Sequence, residues 1–144
     1  MFKPIKNYLK VGDQKFFYVT IGEGEPVIFL PGWLALTDKY DYKKMFPEEL
    51  DPYLSKFQVN FLQLSNLYKS SFSKEPMDLD DYSDELKSAI VAFGFKKVHL
   101  IGHSAGGRFA LHFVVKYPEL VNKLVLMNSA GLKSPTKSAK KQSR

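Results

Sequence analysis

The chain has 144 residues, 44% of them hydrophobic, which is enough for one domain with a substantial core; with no cysteine, disulfide frameworks and thiolate metal sites are excluded. Its formal charge of +6 is concentrated at the end, because setting aside Lys133, Lys137, Lys140, Lys141 and Arg144 leaves 16 basic against 15 acidic residues, a body of net +1 that argues against a nucleic-acid surface. No stretch approaches the roughly 20 apolar residues of a membrane span, and Met1 to Tyr8 lacks a continuous apolar leader core, so a soluble, cytoplasmic protein is expected.

Residues 6–21 alternate around Gly12-Asp13 as an N-terminal hairpin would, and Gly22-Glu23-Gly24-Glu25-Pro26 then punctuates the chain. Val27-Ile28-Phe29-Leu30 is continuously apolar, the pattern of a parallel strand buried on both faces; Pro31-Gly32-Trp33 ends it. Over residues 41–57 apolar side chains recur at helical spacing, with Pro47 and Pro52 expected to break the element into short pieces. A strand is expected over Gln58 to Leu64, followed by a Ser/Lys-rich loop to Pro76. Asp78, Asp80 and Asp81 crowd the start of a helix carrying Leu79, Tyr82, Leu86, Ile90 and Phe93, with Gly94 as its stop. Val98-His99-Leu100-Ile101 reads as a strand, and Arg108 to Tyr117 as a helix with a core stripe of Phe109, Ala110, Phe113, Val114 and Tyr117. Lys123 to Met127 is the last strand. Residues 1–131 thus form one domain and 132–144 a flexible basic tail, with no internal repeat. Strands and helices in alternation mean a mostly parallel sheet with helices on its faces, an α/β fold.

Between the fifth strand and its helix lies Gly102-His103-Ser104-Ala105-Gly106. A serine on so sharp a turn is held in strained backbone, with its hydroxyl exposed at the top of the sheet, and its neighbours must be small. Gly102, Ala105 and Gly106 meet that need. Ala105 would also offer its backbone N–H at the positive helix end, where an oxyanion can be held. Two other readings compete: an ordinary turn whose serine caps the helix, and a dinucleotide loop. The second is weak because residues 102–107 do not spell Gly-x-Gly-x-x-Gly, and the next strand ends in Asn128 rather than an acid.

From about Val11 to Gly131 the sequence resembles the α/β-hydrolase superfamily. The likeness rests on Gly22 to Trp33 as third strand and oxyanion loop, Lys96 to Gly107 as fifth strand and nucleophile elbow, and Tyr117 to Leu126 as the passage into the sixth strand. It implies that Ser104 is the nucleophile, that the N–H groups of Trp33 and Ala105 form the oxyanion hole, and that the substrate is a small ester-like molecule. Relatives that open epoxides or displace halide carry an aspartate at this position. The chain departs from the family pattern at Pro31-Gly32, usually His-Gly, and at Asn66 to Ser71, commonly a glycine-rich turn. The resemblance also implies a lid, two further strands, an acid and a histidine, so these residues are expected to form a truncated fold ending after the sixth strand.

A serine hydroxyl needs a base within hydrogen-bond reach, and the three histidines are ill placed to be one. His99 lies on the strand before the elbow, His103 should point away from the hydroxyl, and His112 is eight helical residues on, about 12 Å away. The aspartates precede the serine, whereas the order in this fold is serine, acid, histidine. A Ser-Lys dyad using Lys43 or Lys69 has nothing to mark it. The expected function is a serine hydrolase working through a Ser104 acyl-enzyme, impaired in this short chain; the alternative is a non-catalytic binding module. Neither a metal nor an organic cofactor is suggested. The last strand, left at a sheet edge, is expected to support self-association or to accept a complementing chain.

Overall fold

A computed structural model describes residues 1–32, 48–67 and 69–132. Strands β1 (Ile5–Val11) and β2 (Gln14–Ile21) form the hairpin, closed by Gly12 and Asp13 with Val11 opposite Gln14. Gly12 supplies the positive φ (+58°) that a tight two-residue hairpin turn requires at its first position. Then come β3 (Glu25–Leu30), α1 (Asp51–Leu54), β4 (Phe57–Leu62), α2 (Leu79–Ala92), β5 (Val98–His103), α3 (Ala105–Lys116) and β6 (Val121–Met127). The strand order is β1-β2-β4-β3-β5-β6, antiparallel as far as β4 and parallel across β4, β3, β5 and β6.

Alternation along each strand sorts the core into two layers. Phe16, Ile28, Leu30, Leu62, Val98 and Leu100 face α2 and α3, meeting Leu86, Ile90, Phe109 and Phe113. Phe17, Val19, Ile21, Val27, Val59 and Phe61 face the other way, against Leu54 of α1. Helices therefore lie on both faces, the two long ones on the same side. Pro52 does not break its helix: it stands in the first turn of α1, where a missing N–H costs no hydrogen bond. A single 3₁₀ turn at Glu48–Leu50 precedes α1, so the described part of the expected stretch is in short helical pieces; residues 41–47 lie outside the described residues, as does the tail from 133 onward.

Asp78 caps α2 by accepting from the Asp81 N–H at 3.0 Å, while the Asp81 carboxylate accepts from the Asp78 N–H at 2.9 Å. Farther along the helix, Glu85 is buried yet fully engaged, accepting from the Ser65 N–H (3.0 Å), the Ser65 hydroxyl (2.5 Å) and the Gln14 amide (2.9 Å). It ties the loop after β4 to the hairpin. That loop turns at Asn66, whose φ of +64° does the work of a glycine and whose Oδ1 accepts from the Ser73 N–H at 2.8 Å. Among the described residues no helix is long and apolar enough to cross a membrane.

Candidate active site

The carboxyl ends of β3, β5 and β6 converge at one point of the sheet, the edge where open α/β sheets hold their ligands. Ser104 stands there between β5 and α3 with φ +53° and ψ −120°, a conformation that non-glycine residues rarely adopt. The close packing explains the small neighbours. A Cβ on Gly102 would lie 2.6 Å from the Gly107 Cα, one on Gly106 2.0 Å from the Leu30 carbonyl oxygen, and one on Gly107 2.3 Å from Ser129 Oγ. No residue larger than glycine fits at these three places without moving backbone or the Ser129 turn.

Although Ser104 occupies the N-cap position of α3, its side chain makes no capping hydrogen bond, so the helix-cap reading of this serine fails. Its hydroxyl instead faces Gly32 at the end of β3, where a Cβ would come within 3.5 Å of Ser104 Oγ. The Ala105 N–H, first in α3, has no acceptor within the helix and lies at the positive end of its dipole. Trp33, the second expected oxyanion donor, lies outside the described residues. So do Lys43 and the aspartates at 38 and 41.

Two of the histidines are held away from the hydroxyl by their own partners, and the third makes no bond to it. His99 Nε2 is 2.8 Å from Glu25 Oε2 on the opposite face of β5 from α3, and His112 Nδ1 is 3.0 Å from Ser83 Oγ between α2 and α3. His103 lies beside Gly32, its Nδ1 3.8 Å from where a Cβ there would stand, without a hydrogen bond to Ser104. The Lys69 ammonium sits over the Phe17 ring, 5.7 Å from its centre. Among the described residues nothing takes up the Ser104 proton, and no group of acids and histidines could hold a metal. The carboxylates serve the helices: the Lys116 ammonium, with the Tyr117 hydroxyl, holds the Asp84 carboxyl below its ordinary value, and the Asp81 N–H does the same for Asp78.

With this geometry in place, the family model described as alpha/beta hydrolase fold matches residues 25–143. The chain belongs to the α/β-hydrolase family. Among relatives, this α/β-hydrolase is 29% identical over 126 residues to epoxide hydrolase 4 of Mus musculus, covering 84% of this chain and 34% of that protein. Of solved structures, it is similar to a 2-hydroxy-6-oxo-6-phenylhexa-2,4-dienoate hydrolase from Rhodococcus sp. strain RHA1 (TM-score 0.74, 20% identity, covering 94% of this chain and 50% of that one). It is likewise similar to naproxen esterase from Bacillus subtilis, with a TM-score of 0.77, 20% identity, and coverage of 96% and 48%. At those identities the two structures speak for the fold alone. This α/β-hydrolase spans between a third and a half of the length of these three proteins.

Two features of the site had little or no signal in the sequence. One is the approach of Gly32 to Ser104, a contact across 72 positions. The other is the turn after β6, which packs on the elbow through Ser129 and Ala130. Asn128, beside a strand end, was the sole trace of that turn, as a residue type that tolerates positive φ.

Proposed function

We propose that this α/β-hydrolase is a serine hydrolase that cleaves a carboxylic ester, thioester or amide through an acyl-enzyme on Ser104. The observation that carries the reading is the strained Ser104 backbone, whose hydroxyl makes no capping hydrogen bond, beside the Ala105 N–H that opens α3. Attack by Oγ on an acyl carbon puts negative charge on the carbonyl oxygen. The Ala105 N–H, with an N–H from the residues after Gly32, would hold that charge. Chemistry favours an acyl group over an epoxide. A carboxylate opening an epoxide leaves an ester that water can hydrolyse, whereas a serine would leave a stable ether.

His99 and His112 are held by other partners and His103 makes no hydrogen bond to Ser104, so the proton acceptor is assigned to a side chain beyond the described residues. Oxyanion donors and binding alone retain about 10³-fold or more catalysis over water when a triad is broken. The 144-residue chain should therefore acylate slowly and turn over poorly. The test is labelling with a fluorophosphonate probe, set against Ser104→Ala, with folding of both checked by circular dichroism. Slow labelling that Ser104→Ala abolishes supports the reading. Folded protein that stays unlabelled overturns it in favour of a binding module.

A further inference from the structure

The peptide unit between Ser104 and Ala105 is held from outside its own helix. Directly after β6 the chain reverses at Asn128 (φ +44°), and the Ala130 N–H donates to the Ser104 carbonyl oxygen at 2.9 Å. On the other side of the same residue, the Ser104 N–H donates to the Met127 carbonyl oxygen at 3.1 Å. The turn is seated firmly on α3: Ser129 fills the space left by the missing side chain of Gly107, and Gly131 (φ +87°) lies against the stem of Arg108.

The consequence follows from peptide planarity. The Ser104 C=O and the Ala105 N–H belong to one trans amide and point in opposite directions, so whatever fixes the oxygen also aims the hydrogen. A donor on that oxygen also polarises the amide and strengthens its N–H. The Gly107 N–H donates to the same oxygen at 3.0 Å, but it belongs to the first turn of α3 and rotates with it. Ala130, anchored on β6, supplies a reference that does not.

We propose that the Asn128–Ala130 turn is the positioning device of the Ala105 N–H, with Asn128 as the residue whose left-handed backbone makes it possible. Its bearing on catalysis rests on the serine-hydrolase reading above. The device itself does not.

The test compares the 144-residue chain with Asn128→Val, whose branched side chain is strongly disfavoured at positive φ, and with Asn128→Gly, which tolerates it. In ¹⁵N-labelled protein, Asn128→Val should speed hydrogen exchange of the Ala130 amide at least about tenfold and shift the Ala105 amide resonance, while Asn128→Gly stays close to wild type. Fluorophosphonate labelling should lose about tenfold in its maximal rate in Asn128→Val, with unchanged probe affinity and recovery in Asn128→Gly. A folded Asn128→Val protein with the wild-type Ala105 resonance and labelling rate overturns the proposal, as does a wild-type Ala130 amide that exchanges like one in an unstructured chain. If Asn128→Val does not fold, Asn128→Ala makes the same comparison with a smaller strain. Should no form label while both amides respond as stated, the positioning device stands and the hydrolase reading falls.

Discussion

Ser104 keeps a backbone conformation that costs of order 1–3 kcal/mol, and the surrounding packing leaves it no other. If that strain is retained for its hydroxyl and for the direction of its peptide, removing it should stabilise the fold. Ser104→Gly, which adopts φ +53° freely, is expected to unfold at higher urea, by about 1 kcal/mol after glycine's own entropic penalty. Ser104→Ala keeps the Cβ and should stay within about 0.5 kcal/mol of wild type. On the proposed serine-hydrolase reading both should lose fluorophosphonate labelling, so the pair separates strain from chemistry; equal urea midpoints would mean that the conformation is unstrained. The small residues around Ser104 were legible in the sequence because a strand-to-helix turn makes its demands locally. Gly32 and Ser129 were not, since what each touches is set by how three strands line up.

At the level of elements, the apolar run of β3 and the spacing in α2 and α3 were readable because burial on a sheet face or helix stripe imposes its period directly. Glu85 was not readable. A carboxylate at a surface-compatible helical spacing carries no mark of burial until Ser65 and Gln14 are brought to it by the loop after β4. The opposite edge of α2 has a different use for charge. Asp84 accepts from Lys116 Nζ at 2.8 Å and from the Tyr117 hydroxyl, and Asp80 is 3.2 Å from the same ammonium, which joins α2 to the end of α3. The Asp84 pKa is lowered first by the Lys116 bond and then by Tyr117. Because the folded chain holds this proton more weakly than the unfolded one, its contribution is present above the ordinary carboxylate value of 3.8 and is lost as the pH falls through the lowered value. Thermal unfolding midpoints should accordingly drop below about pH 4, and Asp84→Asn should flatten part of that drop. The Asp80 and Asp84 carboxylates are exposed, so added salt should flatten it too. An unchanged acid slope in Asp84→Asn would assign the loss to other carboxylates, Asp78 among them.

Across the whole molecule, the two edges of the sheet are unequal. Strand order was the least legible part of the fold, because apolar runs announce strands without saying that β3 slots between β4 and β5. That order leaves β1 and β6 outermost among the described residues. Along β1, Lys6, Asn7 and Lys10 intersperse the apolar residues and blunt the edge, as charged edge strands do. On β6, Lys123 is the one charge, and Val125 and Met127 are about half exposed (48% and 47%) on the face away from α3. There an apolar cavity of about 300 Å³, bounded by Val27, Leu54, Phe57, Val59, Ile101 and Val125, continues the exposed surface inward. Parallel sheets are ordinarily covered on both faces, so an open ladder beside an apolar face is a template for another strand. The 144-residue chain is accordingly expected to associate with itself, with a sedimentation coefficient that rises with concentration. Val125→Glu places a charge on that face without touching the backbone of the β5–β6 ladder and should shift the population toward monomer, with unchanged far-ultraviolet circular dichroism. An equivalent change on β1, such as Tyr8→Glu, should leave association as it was, because that edge already carries charge. Monomer at every concentration, or equal sensitivity of both edges, would place the association surface elsewhere.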